Sequence, residues 1–554
     1  MTNRNTNPYT DFLKIKTQFL MMLFLVFQTA VSAQTTIYTP AEFEKNEGVL
    51  LVWDYSPSRD SITANIVKAV QQTAMAWIIY YPESAPLDTA QIRSYLYSRG
   101  VLPIKLEFIP GYTETLWIRD FGPMIQYGDF GSGSERFVTD AGYTAYNRPK
   151  DDSIPAQIAN YWQWEQQDLE LEIEGGNLIF DGLMRGFASK RVYDQNQQYS
   201  PEQIKAMLIQ HFNLQDFVFL ETLDNSGGGI WKHVDMFMKI IDFETIMVAE
   251  YPAYLPDYAI LEQNVAAISG LSTHFGKPYN IVRIPAPPKA DGTYATTWDD
   301  EMRTYTNSLT INNTVIVPSY GLPEFDQQAY NIYREAMPGY KIIMVDAQML
   351  TILGGAIHCI TREIPTENFM RIIHKKVTGS QDYSQDYYLY CLTESNVPID
   401  SLWLHYKIND GDYQRVPVYI VCPQYTGIIE GLLPGDTVSY YLEAENANYS
   451  TTYPLSAPAG NFKFWFNTVG NQEFIVDKEK LKVIPQPSSG SFYLANTETK
   501  DLEFVRIYNA FGAIVWKQKQ PTQHFIQTDL PAGNYLIQVK QSDKISWSKL
   551  LIIN

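Results

Sequence analysis

The chain is 554 residues long, 45% hydrophobic and 14% aromatic, which supplies enough apolar material for more than one core and excludes a disordered chain. A formal net charge of −19 argues against nucleic acid or an anionic membrane as partner, because either needs basic patches. A cationic substrate fits that charge, although an acidic surface also serves solubility alone.

In chain order, Lys14 and Lys16 precede an apolar run from Phe19 to Phe27, and Val31-Ser32-Ala33 supplies small residues for cleavage. This predicts a secretory signal peptide over residues 1–33 and a mature chain from near Gln34, with no transmembrane segment after it. From Tyr38 to Arg371, strand-like runs such as "GVLLVWD", "MAWIIYYP", "LPIKLEFIP", "FVFLE", "TIMVAEYP" and "NNTVIVPSYG" alternate with helix-like stretches such as "DSITANIVKAVQQTA", "PEQIKAMLIQHF" and "FDQQAYNIYREAM". Alternation of this kind predicts an α/β domain over residues 34–371. The composition then shifts to short strands joined by Asp-Gly and Pro-Gly-Asp turns, which predicts an immunoglobulin-like β-sandwich over residues 372–467. A linker at 468–479 leads to a third, β-rich unit at 480–554, again read as a small sandwich. No repeat of fixed short period is visible.

Three cysteines, Cys359, Cys391 and Cys422, are too few and too scattered for a disulfide framework. Cys391 and Cys422 share one strand-rich segment and could pair. Cys359 is left as a single thiol, in "LGGAIHCITREIP", where an Ala-Ile-His strand would make it ordinary packing.

Four stretches of the first domain concentrate reactive side chains: "TLWIRDFGPM" (Trp117, Arg119, Asp120), "EGGNLIFDG" (Glu174, Asn177), "IWKHVDMF" (His233, Asp235) and "GGAIHC" (Cys359). Each alone has a bland reading: Arg119 with Asp120 as a surface ion pair, His233 with Asp235 as a satisfied strand-end pair. If "HVD" is strand-like, however, His233 and Asp235 point to one face and can reach one ligand together. A carboxylate and an imidazole beside a thiol are equipment for covalent catalysis. The surroundings typical of papain-like thiol proteases are missing, and no C-x-x-C or H-x-x-x-H spacing suggests a metal.

The ordered set "WIRDFGP", "EGGN", "HVD", "YTNSL" and "GGAIHC" resembles guanidino-modifying enzymes of the pentein superfamily, specifically agmatine deiminases and the Porphyromonas-type peptidylarginine deiminases. That resemblance implies a five-bladed, pseudo-symmetric α/β propeller for residues 34–371. It implies Cys359 as nucleophile, His233 as general acid and base, Asp120 and Asp235 as the carboxylates that grip the guanidinium, Asn307 as an orienting neighbour, and Trp117 as an aromatic wall along the substrate stem. No cofactor is needed for such chemistry, and a structural calcium or sodium ion is compatible with it. In "YNRPK", Arg148 matches a position that binds the free carboxylate of a C-terminal arginine, Lys150 stands at the second basic position, and Ile230 replaces a substrate-contacting tyrosine. The final unit resembles the C-terminal sorting domain of type IX secretion cargo, which implies the type IX machinery as partner and export to the cell surface or beyond. The expected activity is deimination of arginine in peptides or proteins, favouring C-terminal arginine. A secreted agmatine deiminase is the alternative, and a non-catalytic adhesin ranks last because Asp120, His233, Asp235 and Cys359 are all present.

Overall fold

A computed structural model describes residues 37–82, 89–129, 134–143, 147–223, 232–297, 300–421, 424–467, 481–495, 502–509, 513–521, 523–541 and 544–553. The expected signal peptide, the linker at 468–479, Ile230 and Cys422 lie outside them.

The α/β region is built from five sheets of one connectivity. In each, a first strand pairs antiparallel with a second, and a helix then carries the chain to a third strand parallel to the second. The strands are Met124–Asp129, Ser134–Gly142 and Glu165–Glu172; Ile179–Phe180, Arg185–Ser189 and Asp216–Leu220; Met238–Asp242, Thr245–Glu250 and Asn280–Pro285; and Leu309–Ile311, Thr314–Ser319 and Lys341–Asp346. In the remaining sheet, the first strand is the last in sequence: Arg362–Pro365 lies antiparallel to Asn46–Val52, which runs parallel to Met75–Tyr80 and then Leu106–Pro110. The end of the region is thus stitched to its beginning.

The sequence explains these elements locally. "VLLV" is a near-continuous apolar run because its strand is covered on both faces, and Val49, Leu50 and Leu51 are fully buried. Pro57 opens the first crossover helix, Pro57–Val70, where its missing N–H costs nothing; Ile62, Ile66, Val67 and Val70 then face the core. Ser200 and Gln203 form a reciprocal capping box that starts helix Pro201–His211. Helices Thr89–Ser98, Ile154–Trp162, Tyr258–Ser269 and Pro323–Ala336 make the other crossovers.

Two antiparallel sheets follow. One is ordered Met370–His374, Tyr387–Ser395, Gln424–Ile429, Tyr419–Val421; the other is centred on Thr437–Glu445 and Ser401–Ile408. They form one compact unit with the α/β region. Arg371 Nη1 donates to the Gly182 carbonyl at 2.6 Å, Lys376 Nζ to Asp242 at 2.8 Å, and Ser456 Oγ to the Pro338 carbonyl at 2.8 Å. Cys391 is a free, buried thiol. The second compact unit, chiefly residues 466–554, contains two further antiparallel sheets around Val483, Phe492, Val505, Ile507, Ile537 and Val539. Among the described residues, no helix is long and apolar enough to cross a membrane.

Candidate active site

The reactive stretches recur at one place in the architecture. A short helical turn or bend leads into the first strand of every α/β module: Ile118–Phe121, Gly175–Asn177, Val234–Met236, residues 305–308 and His358–Ile360. These turns carry Asp120, Glu174 and Asn177, His233 and Asp235, Asn307, and Cys359. Two local expectations are corrected here. "HVD" is not a strand, because His233 caps a 3-10 turn, and Cys359 also sits in a 3-10 turn rather than on a strand. The runs are too short for alternation to be diagnostic.

The side chains nevertheless converge. A Cβ added to Gly176 would lie 2.6 Å from Asp120 Oδ1, 3.0 Å from His233 Nδ1 and 3.1 Å from Asp235 Oδ2, so the absent side chain of Gly176 is what lets the three meet. A Cβ on Gly355 would lie 2.6 Å from Trp117 Cζ3 and 3.0 Å from Cys359 Sγ, so the half-buried indole and the thiol both border the space that glycine leaves open. Asn307 joins the groups: its Nδ2 donates to Asp235 Oδ2 at 3.0 Å and to Cys359 Sγ at 3.2 Å, and its Oδ1 accepts from the Cys359 amide at 3.3 Å. Asp235 Oδ2 lies 3.8 Å from Cys359 Sγ. Asp235 Oδ1 is buried and accepts no hydrogen bond among the described residues.

Both ring nitrogens of His233 face carboxylates, Nδ1 at 3.5 Å from Asp120 Oδ1 and Nε2 at 2.8 Å from Glu174 Oε2. Burial pushes the imidazole toward neutrality, but Glu174 and Asp120 outweigh it and hold the ring's pKa at about 10. Burial pushes the Asp120 carboxyl up, with His233 opposing. Glu174 is also buried, yet His233 and Arg191 hold it below the usual carboxylate range; Arg191 Nε donates to it at 2.6 Å. Burial drives the Cys359 thiol well above the ordinary range, and the negative charges of Asp235 and Asp120 drive it further. The site is therefore a buried, acidic cluster whose carboxylates favour the protonated thiol and whose charge a cation would rebalance.

Arg119 is not the surface partner of Asp120. It is buried and pairs with Glu42 at 3.1 Å and Glu363 at 2.5 Å. Ligand atoms of Glu42, His358 and Glu363 lie within 4.8 Å of one another, a spacing that could hold a metal ion, but Arg119 supplies the cation to both carboxylates. Glu174 was legible only as an acid in a motif, and Glu42 and His358 had no role in the sequence reading. The site had no sequence signal for Glu42, whereas His358 adjoins the cysteine.

Arg148 caps, and Lys150 lies within, the short helix Pro149–Asp152. Asp151 of that helix accepts from the Glu114 amide at 2.6 Å, the Thr115 amide at 3.2 Å and Thr115 Oγ1 at 2.8 Å, tying it to the loop that carries Trp117. Lys150 is exposed, its Nζ 5.1 Å from the centre of the Tyr81 ring.

Residues 38–365 match the model of the Porphyromonas-type peptidyl-arginine deiminase family, and residues 482–554 match that of the secretion system C-terminal sorting domain. The agmatine deiminase of Stutzerimonas stutzeri (strain A1501) is 26% identical over 380 residues, covering 61% of this chain and 98% of that one. The fold is shared with an agmatine deiminase of Enterococcus faecalis (TM-score 0.51, 21% identity, 60% and 96% of the two chains) and with one of C. jejuni (TM-score 0.50, 20% identity, 60% and 97%). With the family model spanning the whole α/β region and every turn that builds the site, the chain belongs to the Porphyromonas-type peptidyl-arginine deiminase family.

Proposed function

We propose that this protein deiminates arginine in peptides, converting the guanidino group to a ureido group with release of ammonia, and that it favours a C-terminal arginine. At the coarser level it is a hydrolase of C–N bonds in linear amidines, a guanidino deiminase of its family. The observation that carries the reading is Asp235 Oδ1: a buried carboxylate oxygen left open beside a thiol is matched by the forked N–H donors of a guanidinium. The five sheets of one connectivity support a pseudo-fivefold propeller, and the two sheets after it support an immunoglobulin-like sandwich.

The mechanism follows from charge. Binding the cation between Asp120 and Asp235 offsets the two charges that hold the Cys359 proton, so the thiol loses that proton to solvent as substrate enters. The thiolate attacks the guanidinium carbon from about 3 to 3.5 Å, forming an S–C bond and a neutral tetrahedral adduct. His233, already protonated, gives its proton to a leaving –NH2; the C–N bond breaks, ammonia departs and an S-alkylthiouronium remains. Neutral His233 then takes a proton from water as the oxygen bonds to carbon. Collapse breaks the S–C bond and returns thiolate and imidazolium, with the hydroxyl proton released. Asn307 holds Cys359 and Asp235 in register throughout, and Glu174 keeps the imidazole in place. Side chains carry every step, so the reading requires no cofactor.

The substrate class rests on Arg148 and Lys150, on a helix fastened to the Trp117 loop, where they would take a peptide's terminal carboxylate. The sorting-domain match supports export through the type IX machinery to the cell surface or beyond, where peptides are the accessible guanidines. Ureido formation should be measured with agmatine, free arginine, and peptides with internal or C-terminal arginine, Cys359→Ala serving as control. The expected result is a preference for C-terminal arginine that Arg148→Ala erodes by about tenfold in KM, with agmatine turnover unchanged. A preference for agmatine overturns the substrate, and no Cys359-dependent turnover overturns the enzyme.

A further inference from the structure

Asp235 and Cys359 rest on a floor of buried charges that the proposed steps do not use. At its centre is His358, whose Nδ1 lies 2.8 Å from Asp235 Oδ2 and whose Nε2 lies 2.8 Å from Glu42 Oε1. An imidazole with a carboxylate on each nitrogen satisfies both only by donating from both, as imidazolium. Glu42 is itself fixed, accepting from Arg119 Nη1 at 3.1 Å, with Lys239 Nζ at 3.6 Å. Arg119 Nε donates to the His358 carbonyl at 3.3 Å, and Lys239 Nζ to the Ser308 carbonyl at 2.8 Å, so the floor links four of the site's chain segments to the stretch ahead of the first strand.

The consequence falls on the two oxygens of Asp235. Oδ2 is held by His358 Nδ1 on one side and Asn307 Nδ2 on the other, while Oδ1 accepts nothing among the described residues. We propose that His358, backed by Glu42, is a positioning residue that clamps one oxygen of Asp235 so that the other is presented to the substrate's guanidinium beside Cys359. This rests on the reading that Asp235 grips a guanidinium. A purely structural His358 would fill space and stabilise the floor without affecting how cationic ligands are distinguished from neutral ones.

Two substitutions separate these roles. In His358→Asn an amide nitrogen can stand near the place of Nδ1 and still donate to Asp235, whereas in His358→Gln it stands near Nε2, keeping Glu42 and losing Asp235. His358→Gln should lower kcat/KM by about 10- to 100-fold, mainly through KM, and His358→Asn should stay within about fivefold of the parent. Alkylation of Cys359 gives a readout independent of turnover: His358→Gln should slow reaction with cationic chloroacetamidine and leave reaction with neutral iodoacetamide unchanged. Equal slowing of both reagents, or Asn and Gln variants that behave alike, overturns the proposal. If the His358 variants fold poorly, Glu42→Gln tests the same clamp, with a loss of about fivefold confined to the amidine reagent and parity between reagents overturning it. Asp235→Asn separates the levels. Retained amidine preference in that variant overturns the guanidinium-binding reading itself, whereas its loss there together with normal behaviour of His358→Gln overturns the clamp alone.

Discussion

The protein carries two environments that bury a cysteine and a histidine equally well and make opposite use of them. In the β-rich stretch after the α/β region, His374 and Cys391 are register partners on adjacent strands. Among the described residues His374 hydrogen-bonds only neutral groups, the Tyr390 carbonyl at 2.6 Å and the Tyr440 hydroxyl at 2.9 Å, and burial pulls its pKa down to about 4. In the α/β site His233 is just as buried, but Glu174 and Asp120 hold it at about 10. Cys391 is pushed up to about 12 by burial. Cys359 is pushed up by burial and also by Asp235 and Asp120, a contribution that a bound cation can reverse. Burial alone makes inert residues; burial with fixed carboxylates makes residues whose protonation a ligand controls.

The sharpest way to break that comparison is to exchange the two thiols' fates. Cys359→Ala should abolish ureido formation, a loss of at least about 10⁴-fold, with the fold intact by circular dichroism. Cys391→Ala should leave kcat/KM within about twofold and instead lower the unfolding free energy by about 1 to 2 kcal/mol through the cavity it leaves. Substantial loss of turnover in the Cys391 variant would mean that this second thiol is more than packing.

The next effect tests the glycine on which the carboxylates and imidazole converge. Gly176→Ala places a methyl 2.6 Å from Asp120 Oδ1 and 3.0 Å from His233 Nδ1, and must displace one of them. A shift of that size in a gripping carboxylate is expected to cost about 10²-fold in kcat/KM, because reacting groups must be held in a near-attack geometry. Steady-state kinetics with an arginine peptide would check this, and an unchanged rate would show that the cluster tolerates a wider spacing.

The sequence displayed the first domain's α/β alternation plainly, and also the turns of the β-rich stretch: Gly435 of "PGD" takes the left-handed conformation, whereas in "NDGD" it is Asn409, ahead of the expected Asp-Gly, that does. The fivefold recurrence was not legible by period, because what repeats is a connectivity of strand, strand, helix and strand with unequal lengths between elements. The reactive residues were visible as types in motifs, and their relation chiefly through the resemblance to a family. His233 and Asp235 meet their partners through a 3-10 turn that a spacing of two residues imitates poorly. Glu42 was beyond reach for a different reason: it contacts His358 from 316 positions away, and nothing in "PAEFEKNEG" marks which of its three acids reaches the imidazole.

The last contrast is in how stability follows pH, and its sign differs between the two histidines. His374 has a folded pKa of about 4, below the ordinary value of 6.5, so its contribution is present above 6.5 and is lost as pH falls toward 4. The full loss is about 3 kcal/mol, taking 1.36 kcal/mol per pKa unit for a fully buried ring. His233, raised to about 10, has its contribution intact below 6.5 and loses it as pH rises through that folded value. Replacing His374 by Gln removes a titration while keeping a polar partner for Tyr440. The stability difference between parent and variant should therefore shrink as the medium is acidified from about pH 7 to about pH 4, as read from urea midpoints followed by tryptophan fluorescence. Taking the difference cancels the many carboxylates that titrate over the same range in both proteins. A difference that stays constant across that range would mean that His374 gains a proton without cost, and the contrast between the two buried imidazoles would fail at His374.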